Sequence, residues 1–98
     1  MRRAQVRPQA RVDMLEIWHF IARDSVQNAD RVTQKIEATI RGLAEMPGKG
    51  HVRADVKATS LRFYSVYSYV IAYEYDDNVL DIVRVVHGRR NFRKLFKR

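Results

Sequence analysis

A chain of 98 residues with no cysteine has room for one ordinary hydrophobic core, and it excludes a disulfide scaffold, a thiolate metal site and a cysteine nucleophile. Nineteen Lys and Arg against eleven Asp and Glu leave a net charge of +8, which favours a polyanionic partner, and no apolar run approaches membrane-spanning length. The basic start Met1-Arg2-Arg3 is followed by no apolar stretch of the kind an export signal carries, so a single cytoplasmic domain, residues 1–98, is expected.

In chain order, Ala4 and Val6 alternate weakly with arginine over residues 2–7, a short strand that needs a larger sheet to join. Pro8 suits the first turn of a helix, where its missing N–H is not required. From Gln9 to about Arg23, Val12, Leu15, Trp18, Ile21 and Ala22 recur at three- and four-residue spacing, which predicts an amphipathic helix with Trp18 in the core. Ser25 can cap a second helix, whose stripe is Ala29, Val32, Ile36, Ile40 and Leu43 and whose stop is Pro47-Gly48-Lys49-Gly50. The two form an antiparallel hairpin.

After a polar connection at 48–60, three runs dense in Val, Ile and Tyr read as strands: Leu61 to Tyr64, Val66 to Tyr75 and Val79 to Val86, the last two joined by an Asp76-Asp77-Asn78 loop. The expected fold is therefore α+β: an N-terminal strand, an antiparallel helical hairpin, then a three-stranded antiparallel meander in one sheet (β-α-α-β-β-β), with a short basic C-terminal segment. Two helices cover one sheet face, and nothing comparable is evident for the other. Yet the run from Val66 to Tyr75 is apolar or aromatic on both sides, with Tyr67, Tyr69, Ile71, Tyr73 and Tyr75 in one register and Val66, Val70 and Ala72 in the other. A partner is expected to cover part of that surface.

The charge is concentrated at the end. Arg84, Arg89, Arg90, Arg93, Lys94, Lys97 and Arg98 meet no acidic residue from 84 onward, and the rest of the chain balances twelve basic against eleven acidic side chains. Within the last strand, Arg84 calls for a carboxylate, for which Asp81 and Glu74 are the candidates. His19 and His51 read as solvated, and no two histidines have metal-ligand spacing, so no metal or cofactor is expected. His87, at a strand end, can bond backbone or transfer a proton, the former being the commoner use.

Several short pieces occur together in a definite order: Ile17-Trp18-x-Phe20-Ile21, Leu43-x-x-x-Pro47-x-x-Gly50, Leu61-Arg62, Tyr69-Val70-Ile71-x-Tyr73, and an Arg84-Val85-x-His87-Gly88-x-Arg90 ending. Over Pro8 to Phe96 this set resembles ParE-like toxins of the RelE/ParE toxin-antitoxin superfamily. The resemblance implies a helical hairpin on an antiparallel-rich sheet and a type II toxin neutralised by a cognate ParD-like antitoxin. RelE-like members cut messenger RNA on the ribosome, whereas ParE-like members inhibit DNA gyrase. Ribonuclease chemistry would fall to Arg62, His87 and Arg90, but Phe96 stands where a late tyrosine would supply a proton. The expectation is therefore a gyrase inhibitor and not an enzyme, with the ribosome-dependent endonuclease as the alternative. Arg89, Arg90, Arg93 and Lys94 are the expected target contacts, with Leu95 and Phe96 pinning the segment to the fold; Arg62, Tyr67, Tyr69 and Tyr73 are the expected antitoxin contacts. No helix-turn-helix or zinc-finger pattern is present, so direct nucleic-acid binding is not required by this reading.

Overall fold

The computed structural model describes residues 1–97; Arg98, the last of the tail's basic residues, lies outside them. A strand β1 (Arg3–Val6) leads into helices α1 (Pro8–Ala22) and α2 (Val26–Glu45), followed by β2 (Arg62–Val66), β3 (Tyr69–Tyr75), β4 (Val79–His87) and a four-residue helix α3 (Phe92–Leu95). The sheet order is β1-β4-β3-β2, with β2, β3 and β4 antiparallel as expected. β1 joins it parallel to β4, pairing Arg3 with Val79 through Val6 with Ile82, so the sheet is mixed.

α2 follows its sequence pattern closely. The Ser25 hydroxyl accepts the Asn28 N–H at 3.1 Å, and Ala29, Ile36, Ile40 and Leu43 are buried. α1 does not, because its inward row is Ala10, Asp13 and Ile17, with Met14 and Ile21 packed beside them. Val12 and Leu15 point outward at 43% and 61% exposure, and Phe20 is 61% exposed. The reason is Asp13: an inward carboxylate interrupts the apolar pattern of the true core face, leaving the outer stripe as the more regular one. Trp18 is likewise only half-buried, and its Nε1 donates to Asp30 at 2.8 Å, tying α1 to α2 instead of filling the core.

The run from Val66 to Tyr75 is not one strand. It folds back at Tyr67-Ser68, pairing Val66 with Tyr69, with Tyr67 at a φ of 54°. No Gly, Asn or Asp marks that two-residue turn, which is why the run reads as continuous. The next turn carries its own signal: the Asp76 carboxylate accepts the N–H groups of Asn78 and Val79, both at 2.8 Å, and those bonds hold its pKa below the usual carboxylate range.

Two cores result. On the helix side, Ile36, Ile40 and Leu43 meet Ile71, Tyr73 and Ile82. On the other side, the expectation of an uncovered face is overturned. Phe92 and Phe96, together with Val56 from the 52–60 connection, close over Leu61, Phe63, Val70 and Val86. The Phe63 ring meets Phe96 edge-on with centroids 5.3 Å apart and Phe92 at 5.6 Å. Leu95 only flanks this cluster, so the pins of the C-terminal segment are Phe92 and Phe96.

Candidate functional site

The site grows from the end of β4, which outlasts its neighbour. β1 stops opposite Ile82, the Arg7 N–H bonds the Ile82 carbonyl at 3.0 Å, and Pro8 turns the chain into α1. The edge of β4 beyond that point needs partners, and Asp13 supplies them. Its carboxylate, 5% exposed, accepts the Val85 N–H at 3.0 Å and the Arg84 guanidinium at 2.8 and 3.0 Å. Arg84 is thus paired with Asp13, and neither Asp81 nor Glu74 plays that part; Asp81 is held by Arg7 at 2.6 Å. Hydrogen bonding to Asp13 holds the Arg84 guanidinium above its ordinary range.

At the strand end, the Nδ1 of His87 accepts the Arg89 N–H at 3.1 Å, and its ring sits edge-on to Tyr69 with centroids 5.6 Å apart. The Gly88 N–H bonds the Ser68 carbonyl at 2.9 Å, fastening this turn to the tip of the β2–β3 hairpin. From here Arg89, Arg90, Arg93, Lys94 and Lys97, all exposed, fan out over different surfaces. Arg89 borders a shallow groove with Tyr67 and Ser68. Arg90 lines a notch of 260 Å³ with Glu16, Phe20, Tyr69 and His87. Arg93, Lys94 and Lys97 line a groove of 540 Å³ with Ala54, Asp55 and Lys57, where Phe96 also reaches.

Of the three ribonuclease candidates, His87 and Arg90 share a notch, but Arg62 does not join them. Arg62 pairs with Tyr73 and His87 with Tyr69 across the same strand, a separation of about 13 Å at roughly 3.3 Å per residue, before any distance between strands is added. Arg62 instead donates to the Gly50 carbonyl at 3.3 Å and lies over the Tyr75 ring. Glu16, missed in the sequence, shares the notch of His87 and Arg90; nothing in the one-dimensional pattern places an α1 carboxylate beside the end of β4.

The four expected antitoxin contacts fare differently. Tyr67 is 62% exposed, while Tyr69 and Arg62 are half-buried; burial raises the pKa of Tyr69 above that of an ordinary tyrosine. Tyr73 is fully buried and offers a partner no surface. Its hydroxyl donates to the Pro47 carbonyl and accepts the Gly50 N–H at 2.9 Å. A Cβ on Gly50 would lie 2.2 Å from that oxygen, so this position requires glycine. A tyrosine not singled out beforehand, Tyr64, joins Tyr67, Lys35, Thr39, Gly42 and Lys49 around a groove of 370 Å³ between α2 and β2. The main chain beside that groove belongs to β2, an edge strand of the sheet: Phe63 exchanges both of its outward bonds with His51, at 2.8 and 2.9 Å, so Ser65 is the next outward position along the edge.

Among the described residues no cluster of His, Asp and Glu could hold a metal ion, and no helix is long and apolar enough to cross a membrane. A family model described as "ParE toxin of type II toxin-antitoxin system, parDE" matches residues 4–92. Among solved structures, the chain is similar to one described as "Chromosomal ParDE TA system from P. aeruginosa", with a TM-score of 0.73 and 16% identity over 89% of this chain and 96% of that one. No curated protein matches the sequence.

Proposed function

The chain belongs to the ParE toxin family of type II toxin-antitoxin systems, and from that premise we propose that it works in the cytoplasm by binding DNA gyrase and is neutralised by a ParD-like antitoxin. The observation that carries this reading over messenger RNA cleavage is the distance of Arg62 from the notch that His87 and Arg90 share. Attack by a ribose 2′-hydroxyl needs a base, a cation and an acid around one phosphate. Here Arg62 sits about 13 Å along the sheet from His87, by the same roughly 3.3 Å spacing. The Nδ1 of His87 is occupied by the Arg89 N–H, and Phe96, which has no proton to give, is packed into the second core.

In this reading Arg89, Arg90, Arg93 and Lys94 meet the target, and an antitoxin segment covers the side that carries Arg62, Tyr67 and Tyr69. Ser65, the outward position of the β2 edge next to Tyr67, gives such a segment a place to add main-chain bonds. The test sets a gyrase supercoiling assay beside a translating system programmed with messenger RNA. Loss of supercoiling with intact message is expected, and adding antitoxin restores supercoiling. Codon-specific cuts at toxin levels equal to the ribosomes, with gyrase untouched, would overturn the proposal.

A further inference from the structure

We propose that the groove between α3 and the 53–57 loop binds the phosphodiester backbone of a nucleic acid. This binding activity shares Arg93 and Lys94 with the proposed target contacts but does not rest on the gyrase reading. Its walls are cationic on both sides, with Lys57 on the loop facing Arg93, Lys94 and Lys97 on and just after α3, and all four side chains are exposed. The one carboxylate present, Asp55, is paired with Arg53 through both oxygens at 2.9 Å and also feels Arg93, so with Arg53 counted the groove keeps the net charge of its four cations.

The walls are also held in place before any ligand arrives. Asn91 caps α3 by accepting the Lys94 N–H at 3.1 Å, and Phe92 and Phe96 root the helix in the second core. The Arg53 guanidinium lies 4.0 Å from the centroid of Phe92, which ties the loop to the helix. A ligand therefore meets cations whose backbone supports are already ordered.

The chemistry favours a phosphate backbone over an acidic protein. Protein interfaces are depleted of lysine and anchored on large aromatic or aliphatic side chains, whereas nucleic-acid interfaces are strongly positive. None of the exposed large hydrophobic residues lines this groove, and Phe96 is only 6% exposed there. Leu15, Phe20 and Tyr67, the exposed apolar groups that would suit a protein, all lie on other surfaces.

The test is fluorescence anisotropy of the full chain against a labelled DNA duplex and a labelled RNA stem-loop over a salt series, with polyglutamate as the acidic-protein probe. Wild type should bind DNA, RNA or both, and the tighter of the two identifies the natural source of the backbone. The variant K57Q/R93Q/K94Q/K97Q should melt like wild type and lose about 2 to 4 from the slope of log affinity on log salt. R89Q/R90Q, outside the groove, should keep most of that slope. If the quadruple variant misfolds, K57Q and R93Q taken singly should each lower the slope by about 1. An unchanged slope in the groove variants, polyglutamate binding as tightly as either nucleic acid, or no nucleic-acid binding at all would overturn the proposal. Gyrase inhibition, read in a different assay, can succeed or fail independently of these outcomes.

Discussion

Tyr73 carries a hydroxyl into the interior and finds two main-chain partners there, the Pro47 carbonyl and the Gly50 N–H. Removing only that oxygen leaves both groups buried without their bond, so Tyr73→Phe should lower stability by about 1 to 3 kcal/mol, read as a fall in the urea midpoint. The pH dependence follows from burial, which raises the pKa of the hydroxyl above that of an ordinary tyrosine. A group raised on folding contributes stability that is complete below its unfolded value and is lost as pH climbs through the folded one. Wild type should therefore weaken above pH 10, and Tyr73→Phe should weaken less steeply, with Tyr69 supplying the remainder. Equal alkaline slopes for the two proteins would contradict this. The sequence placed Tyr73 in a row of tyrosines and so read it as partner-facing. Its real partners lie 26 and 23 residues earlier in the chain, a relation no local pattern expresses. The same applies to Asp13 and Arg84, 71 residues apart, where an acid that looks solvated in a helix pattern closes a sheet edge.

Elements were legible where local chemistry and packing agree. α2 has a capping serine, a clean stripe and a Pro-Gly stop, and the structure follows all three. The β3–β4 turn is equally plain, because Asp76 bonds the main chain that it turns. The β2–β3 hairpin was hidden because a bulky residue occupies the left-handed position, where Gly or Asn is the usual signal. That conformation costs an ordinary L-residue roughly 1 to 2 kcal/mol, and Tyr67 tolerates it while keeping its ring 62% exposed. Tyr67→Gly should relieve the strain and, after the added freedom of glycine in the unfolded chain, stabilise by about 0.5 to 1 kcal/mol. The same change removes the exposed ring at the hairpin tip, beside the edge strand β2. A higher melting temperature together with weaker antitoxin binding is the expected pair of results. Lower stability would count against the strain, and unchanged antitoxin affinity against Tyr67 as a contact.

For the whole molecule, the least legible feature was the second core, since its two pins are embedded in the most basic stretch of the chain. Phe92 and Phe96 stand four residues apart among Arg93, Lys94 and Lys97, so charge masks an amphipathic turn too short to announce itself. Once that turn is seen, the tail carries two separable properties. Truncation after Gly88 would remove both at once, exposing Leu61, Phe63, Val70 and Val86 along with deleting the cations. Phe92→Ala keeps every charge but empties a site that is 1% exposed, at a cost of about 3 to 5 kcal/mol. The reverse experiment, R89Q/R90Q/R93Q, keeps Phe92 and Phe96 in place and changes only exposed side chains, so stability should move by no more than about 0.5 kcal/mol. This triple variant should bind antitoxin as wild type does and fail to arrest growth when expressed alone. A matching triple lysine variant restores the charge without the planar fork that grips carboxylate or phosphate at two points, so it should recover toxicity only in part. Full lethality of the glutamine variant, with its fold and antitoxin binding intact, would mean that these arginines only solvate the surface and that the target is met elsewhere.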